Sequence, residues 1–527
     1  MMNSLSRNEC LDRLRGGETW DILVIGGGAT GLGTAVDAAL RGYRTLLLEA
    51  RDFAHGTSSR STKLIHGGVR YLAQGNIPLV REALHERGLL LQNAPHLVHC
   101  RDFVVPAYHS WQLPYYGMGL WLYDRLAGEL SLGRSRWISR AETLTRVPTM
   151  RSQGLRGGIL YTDGQFDDAR LAIVLARTLA DLGGSALNYL PVTALTRQGG
   201  RLAGATARDL ETGEEFTVTT RTVVNASGVN ADEIRRLDEP GAPTLVAPSQ
   251  GAHIVLDRSF LPGETAVMVP KTDDGRVLFA IPWSVRVLVG TTDTAMATLP
   301  LEPRPLEQEI DYLLDHARRY LEKAPSRADI KSAFAGLRPM IRPAGAKGIA
   351  TSRLSREHVV TVSESGLVTV TGGKWTTYRV MARDAVDHAA RVGKLPGRPS
   401  ATASLRLHGW CLPTDDQPRT LALYGSDLSE LNELIRERPD LGAPLHPALP
   451  YIAAEVVWAA RHEAARMIED VLARRTRVLF LDARASLEAA PRVAALLAGE
   501  LGRDEAWQAD QIARFKTLSE RYMVNNG

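Results

Sequence analysis

Two hydrophobic periods run along this chain, and the change from one to the other divides it. Near the N-terminus DILVIGGG is an apolar, β-rich run entering glycines, ATGLGTAVDAALRGY follows with helical spacing, and RTLLLEA is a second buried run. Strand, helix and strand in that order predict a βαβ unit. Residues 78–98 read as a helix, Asp167–Gly184 (DDARLAIVLARTLADLGG) as an amphipathic one, and Thr220–Gly228 (TRTVVNASG) as a buried strand running into a turn. From about 245 to 293 a period of two takes over. GAHIVL, TAVMVP, RVLFAIPW and RVLVGTTD alternate around a DDGR turn and predict an antiparallel sheet. Pro305–Ala324 has helical spacing, with Ile310, Leu313, Leu314, Ala317 and Leu321 on one face. Leu367–Gly373 (LVTVTGG) is again a strand into glycines, and KWTTYRVMARDAVDHAARV continues it as a helix. Gly393–Ser404 reads as a linker, and the chain beyond it is nearly all helix, rich in Ala and Arg.

Composition narrows the class. The 527 residues suffice for about two or three domains with a large core. With 44% hydrophobic and 23% charged residues, the chain reads as an ordinary soluble protein. A net charge of +4 argues against a dedicated nucleic-acid binder and allows a mildly basic face for anionic substrates or lipid head groups. Cys10, Cys100 and Cys411 are widely spaced without a CxxC pair, so neither a structural metal nor a disulfide framework is expected. The first 20 residues lack the apolar run of a signal peptide, and no stretch is long and apolar enough to span a membrane, so a cytoplasmic protein is expected. Only 8 of the 63 basic residues are Lys, so a Lys inside a motif suggests that an ammonium is wanted there.

The strongest chemical signal is Gly26-x-Gly28-x-x-Gly31, placed after a strand and opening a helix. Glycines there permit a tight turn and let backbone amides approach a pyrophosphate, whose charge a helix N-terminus stabilises. Glu49, at the end of the second strand, is placed to accept hydrogen bonds from ribose hydroxyls. This fingerprint does not separate FAD from NAD. The downstream TVTGGKWTTY, with glycines and hydroxyls at another strand–helix junction, favours the longer FAD, which needs contacts at both ends. Between them lies Gly56–Gly68 (GTSSRSTKLIHGG), five hydroxyl side chains with Lys63 and His66 between glycines. Composition alone makes it a loop, but its place just after Glu49 makes it a strap along the middle of FAD.

GGGATGLGTAVDAALRG, TSSRSTKLIHGGVRYL, FDDARL, VVNASG, GAHIV, FAIPW, VGTTDT, GLRPM and TGGKWTTYR, in this order, resemble FAD-dependent glycerol-3-phosphate dehydrogenase from about residue 20 to 390. Ala453–Arg484 resembles that family's C-terminal domain more loosely. The resemblance implies oxidation of sn-glycerol 3-phosphate to dihydroxyacetone phosphate, with electrons passing from FAD to a membrane quinone. It implies an α/β fold of the D-amino-acid-oxidase-like superfamily. A Rossmann-like FAD domain is expected from residues 18–77, 150–235 and 335–395, an antiparallel substrate cap from 78–149 and 236–334, and a helical C-terminal domain from 400–527. The pattern around 78–150 fits either of the first two.

Carried over by motif, FAD contacts are expected from Gly26, Gly28, Gly31, Glu49, Thr57, Ser58, Ser59, Ser61, Lys63, Leu64, Gly228, Asp293, Gly373, Lys374 and Thr376. Substrate contacts are expected from Arg338, Lys374, His253 and one of Arg353 and Arg356, spacing favouring Arg356. The chemistry agrees: Arg offers a planar fork to phosphate oxygens, and His253 is a base of near-neutral pKa for the hydroxyl proton. His253 and Arg338 are therefore the catalytic candidates. His66 reads as structural, orienting Gly67 and Gly68, while Asp167 and Asp168 read as helix-start acids. No metal is expected, and the absence of an EF-hand pattern speaks against calcium control.

Two departures from the family pattern stand out. Trp375 replaces a common Leu and should change packing, and Gln250 replaces a common Lys and should remove a charge near the active-site entrance. Leu113–Leu126 (LPYYGMGLWLYDRL) resembles a segment the family places at the bilayer surface, where Arg125 and Arg134 could meet anionic lipid; the alternative is an internal aromatic cluster. The expectation is a peripheral protein on the cytoplasmic face of the inner membrane, with a homodimer left open. Rival readings are a glycerol-3-phosphate oxidase using O₂, an amine or amino-acid oxidase of the same superfamily, and a membrane-docking flavoprotein without catalysis.

Overall fold

The computed structural model describes residues 5–73, 75–273, 275–342, 357–414 and 418–524. The first apolar run forms the Thr19–Ile25 strand, buried on both faces, and a strand so placed belongs in the middle of a parallel sheet. Thr45–Leu48 and Glu215–Asn225 flank it in parallel. The sheet runs His358–Val362, Leu367–Gly372, Glu215–Asn225, Thr19–Ile25, Thr45–Leu48 and Ser185–Leu187, with a Val192–Gln198/Arg201–Arg208 hairpin added beside Glu215–Asn225. The Ala29–Leu40 helix packs against Asp168–Asp181 and Tyr378–Val392. Its approach to the last is close enough that a Cβ at Gly33 would lie 2.7 Å from the Tyr378 ring.

The period-two region forms a second, ten-stranded sheet, antiparallel except where Ala266–Val269 pairs with Val98–Ala107. Its long strand Val246–Asp257 lies between Ile330–Ile341 and Arg286–Gly290. GAHIVL is buried at every position, as are Ala266–Val269 and Arg286–Gly290, so the expected alternation is not seen in their burial: both faces of the sheet are covered. Ala252, Ile254 and Leu256 pack with Ile310, Leu313 and Leu314 of the Glu307–Tyr320 helix, while Val255, Leu288 and Phe334 join the core of the C-terminal helices. All five residues expected on that helix's inner face are buried.

Leu64–Ile65 and Gly157–Phe166, inside stretches expected for the FAD domain, pair in this second sheet. The strap thus carries the chain from one sheet to the other. The helix expected over 78–98 spans Ile77–Asn93, started by Pro78 and the Asn76 cap, and Val98 already begins a strand. Gly393–Ser404 is tied down rather than loose: Tyr43 donates to the Pro396 carbonyl (2.5 Å), Arg398 to the Arg41 carbonyl (2.6 Å), and Ser400 to Asp37.

Candidate active site

The cradle begins at the glycine turn. Gly26 has φ +114°, a conformation L side chains rarely adopt, and a Cβ on Gly31 would lie 1.8 Å from the Gly26 carbonyl oxygen. Ala29, opening the helix, donates its amide to Ser58 Oγ at 2.9 Å, which brings the strap onto the helix N-terminus. Glu49 is seated at the strand end, accepting from the amides of Gly27 (2.5 Å) and Arg51 (2.8 Å). Burial raises its pKa, and those two amides oppose the rise. Gly228 (φ +61°) starts a single turn and its carbonyl accepts from Thr371 Oγ1 (3.3 Å), while Gly372 and Gly373 (φ +85° and +71°) precede the Trp375–Thr377 turn, which reaches the strap through Trp375.

The strap itself is anchored at both ends. Thr57 donates to the Leu337 carbonyl (2.6 Å), and the Ser58 carbonyl accepts from Trp375 Nε1 (2.9 Å). Further on, Thr376 Oγ1 accepts from the His66 amide (3.3 Å) and Tyr123 Oη accepts from the Gly67 amide (2.7 Å). Trp375 also meets Phe166 and Tyr378 edge-on.

Lys63 has φ +63° and its side chain is fully buried, away from the cavity. Its Nζ pairs with Asp168 (2.8 Å) and donates to the carbonyls of Ser59 (3.0 Å) and Ser61 (3.2 Å). Burial lowers the ammonium to about 8, against the pull of Asp168, and leaves it protonated at neutral pH. Asp167 is a helix-start acid, capping the Arg170 amide (3.0 Å), but Asp168 is more than that. Buried, it takes Lys63 Nζ, the Ser61 amide (3.0 Å), the Ser61 hydroxyl (2.7 Å) and Arg477 (3.1 Å). Burial alone would raise its pKa, yet Lys63 and Arg477 hold it below the ordinary carboxylate range.

Beside the strap opens a cavity of about 990 Å³ lined by Thr57, Ser61, Thr62, Leu64, His66, Tyr71, His253, Asp293, Arg338, Gly373, Lys374 and Thr376, among others. Sites predicted far apart in sequence therefore share one space. Arg338 lies across from Ser249 on paired strands. Its guanidinium donates to Thr291 Oγ1 (3.1 Å) and to the carbonyls of Thr292 (3.1 Å) and Gln250 (3.4 Å), with Asp293 3.8 Å away. Lys374 Nζ lies 4.0 Å from the centre of the Tyr71 ring. His253 is buried, stacked on Phe334 at 4.9 Å, with Nε2 3.0 Å from Thr62 Oγ1. Burial, then Lys63 and Arg338, hold its pKa well below the usual value, so the ring is neutral. His66 faces the same cavity, edge-on to Phe279 at 6.2 Å.

Gln250 is not at the entrance. It is buried in the cap and donates to Glu309 (2.8 Å) and the Arg304 carbonyl (3.0 Å), so a neutral amide there satisfies interior acceptors. Arg353 and Arg356 lie outside the described residues. Sequence reasoning passed over Thr62, Tyr71 and Arg477. The partnership of Lys63 with Asp168 had a faint signal, since no other lysine precedes Lys271. At the cavity mouth the Gln112–Ala127 helix buries Leu120 and Tyr123 and exposes Tyr115 (57%), Met118 (69%) and Trp121 (54%), so its aromatic side is external.

Residues 21–379 match the FAD dependent oxidoreductase family, and residues 369–508 match the C-terminal domain of alpha-glycerophosphate oxidase. The mitochondrial glycerol-3-phosphate dehydrogenase of Homo sapiens is 39% identical over 541 residues, covering 96% of this chain and 74% of that protein. The corresponding Arabidopsis thaliana protein is 40% identical, covering 95% and 86%. Among solved structures, glycerol-3-phosphate dehydrogenase from Bacillus halodurans complexed with FAD superposes with a TM-score of 0.80 at 29% identity, covering 99% of both chains. FAD-bound L-alpha-glycerophosphate oxidase from Mycoplasma pneumoniae, 17% identical with a TM-score of 0.54 over 73% of this chain and 98% of its own, shares the fold.

Proposed function

The chain belongs to the family of FAD-dependent glycerol-3-phosphate dehydrogenases, and on that premise we propose how its own residues carry the reaction. The substrate is glycerol 3-phosphate and the cofactor is FAD, which when bound accepts a hydride from carbon 2. The observation that carries the residue assignment is the convergence of Arg338, Lys374 and His253 on one cavity beside the strap.

The cradle fits FAD. The turn at Gly26, Gly28 and Gly31 with the Ala29 helix start would receive the pyrophosphate, and Glu49 the ribose. Thr57, Ser58, Ser59, Ser61 and the backbone of Lys63–Leu64 would line the middle, with Gly228, Asp293, Gly373, Lys374 and Thr376 completing the cofactor contacts. Arg338 and Lys374, with Arg356 beyond the described residues, would hold the phosphate as a charge-assisted clamp that orients carbon 2. His253, kept neutral by burial, would take the hydroxyl proton. Nδ1 is buried with no hydrogen-bond partner among the described residues, so the proton would reach the ring at Nε2, 3.0 Å from the hydroxyl of the cavity-lining Thr62. Anaerobic addition of glycerol 3-phosphate should bleach the flavin absorbance of the FAD-loaded protein, and a fully loaded sample that does not bleach overturns the reading.

For the electrons we propose a membrane quinone. The supporting observation is the exposed aromatic side of Gln112–Ala127 at the cavity mouth, where Arg125 lies 5.0 Å over Trp121. Among the described residues no helix is long and apolar enough to cross a membrane, which fits peripheral docking, here on the cytoplasmic face of the inner membrane. The domain boundaries given above belong to the same proposal, with Leu64–Ile65 and Gly157–Phe166 joining the cap sheet. Stopped-flow reoxidation should be faster with a quinone analogue than with O₂; the reverse order identifies an oxidase.

A further inference from the structure

Behind the strap, on the side away from the cavity, three regions of the chain meet at one buried cation. Lys63 Nζ lies 5.0 Å from the ring centre of Trp283 and 5.4 Å from Phe334, both on the second sheet, and 5.7 Å from Phe480 of the C-terminal region. Arg477, also from the C-terminal region and also buried, crosses to the strap. It donates to the Ser59 carbonyl at 2.6 Å and to Asp168 Oδ1 at 3.1 Å, and its guanidinium lies 4.4 Å from the Phe480 ring centre. Asp168 Oδ2 meanwhile holds Lys63 Nζ and both the amide and hydroxyl of Ser61. Asp167, 3.6 Å from Arg477, brings the count to two cations and two carboxylates. The Ser59 carbonyl is shared by Lys63 and Arg477. The conformation of Ser59–Lys63 is thus fixed from behind by a side chain that does not line the cavity.

We propose that Arg477 is a positioning residue for the flavin strap, acting through Ser59 and Asp168, and that the C-terminal region thereby takes part in holding FAD. The proposal rests on the strap reading above. A buried ion pair is weak grounds for added stability, but removing one partner leaves the other charge uncompensated, so the strap should be sensitive to Arg477 in particular. Lys at position 477 restores the charge and can reach one of the two acceptors, while Met restores neither.

Three variants separate the outcomes: Ser58→Ala on the strap, and Arg477→Met and Arg477→Lys behind it. FAD affinity is measured by titration, flavin setting by visible circular dichroism and reduction potential, and strap order by hydrogen exchange of amides 59–63 in FAD-free protein. Arg477→Met should weaken FAD binding about tenfold or more. It should also alter the flavin dichroism and potential and speed exchange at 59–63 more than elsewhere, with Arg477→Lys recovering part of each. If Arg477→Met does not fold, Arg477→Lys decides, through faster exchange at 59–63 and a severalfold loss of FAD affinity. Wild-type affinity, dichroism and exchange in the folded variants overturn the proposal. Should Ser58→Ala also bind FAD like the wild type, the strap reading falls too; should it bind weakly while the Arg477 variants do not, only the role of Arg477 falls.

Discussion

His253 sits between a hydroxyl and an aromatic ring, and each constrains its proton. Thr62 fixes the Nε2 edge, and stacking on Phe334 keeps the ring from turning. Because its pKa lies well below the usual value, kcat/KM should show no loss from its protonation near about pH 6.5, the ordinary imidazole value. A titrating limb there that disappears in His253→Asn would contradict the neutral-base assignment. Steady-state kinetics of His253→Asn should show kcat down by about 10²–10⁴ with KM little changed. His66→Asn, by contrast, should stay within a few-fold of wild type in kcat. The opposite pattern would move the base to His66, which lines the same cavity. At this scale the sequence was informative about which residues gather and poor about where side chains point. Rarity singles out Lys63, and in the structure its ammonium is held by Asp168. Gln250 likewise faces Glu309 and not the entrance. A motif specifies residue type and order, whereas the direction of a side chain depends on strands paired across hundreds of positions.

Elements were more legible, because strand and helix periods are local properties. The βαβ start, the Glu307–Tyr320 face and the strands between Val246 and Gly290 follow from spacing, whereas Leu64–Ile65, Val98–Ala107 and Gly157–Phe166 join the second sheet without such a signal. The apolar pattern over 78–98 overruns the helix, because Leu97 and Val98 continue it past Asn93 while the backbone there turns into a strand. The Gln112–Ala127 helix could not be resolved from sequence between a surface and an interior aromatic cluster, since both give the same composition. Its exposed Tyr115, Met118 and Trp121 now argue for a lipid surface. Burying a large apolar side chain contributes about 1.5–3 kcal/mol, so changing both Met118 and Trp121 to Glu should lower vesicle affinity by about 10² or more. Co-sedimentation with anionic-lipid vesicles at physiological salt reads this directly, and undiminished retention removes the helix from the docking face. Bleaching by glycerol 3-phosphate should persist in the same double variant, because neither side chain belongs to the substrate clamp.

At the scale of the whole molecule the three regions are joined by buried charges, and no local pattern could announce them. Arg474 and Arg475 of the C-terminal region both reach Asp52, just past the second strand of the first sheet, and Arg170 pairs with Glu463. One such junction is pH-sensitive in the neutral range. His55, after the second strand, lies 3.2 Å from Glu302 and 3.3 Å from Glu469, with Arg60 and Arg474 on the same carboxylates. Burial would lower its pKa, but the two glutamates raise it to about 8. An imidazole whose folded pKa exceeds the unfolded value near 6.5 gives its full contribution below about pH 6.5 and loses it as pH rises through about 8. The shift corresponds to about 2 kcal/mol for a group only 11% exposed. His408, raised to about 9 between Asp181 and Asp427, adds a slope of the same sign, so the diagnostic is a difference. Subtracting the unfolding free energy of His55→Gln from that of the wild type should leave a curve that is flat below about pH 6.5 and falls by about 2 kcal/mol towards pH 8 and beyond. Urea unfolding at a series of pH values measures it, and a difference that stays constant with pH would show that His55 is not charged at this junction.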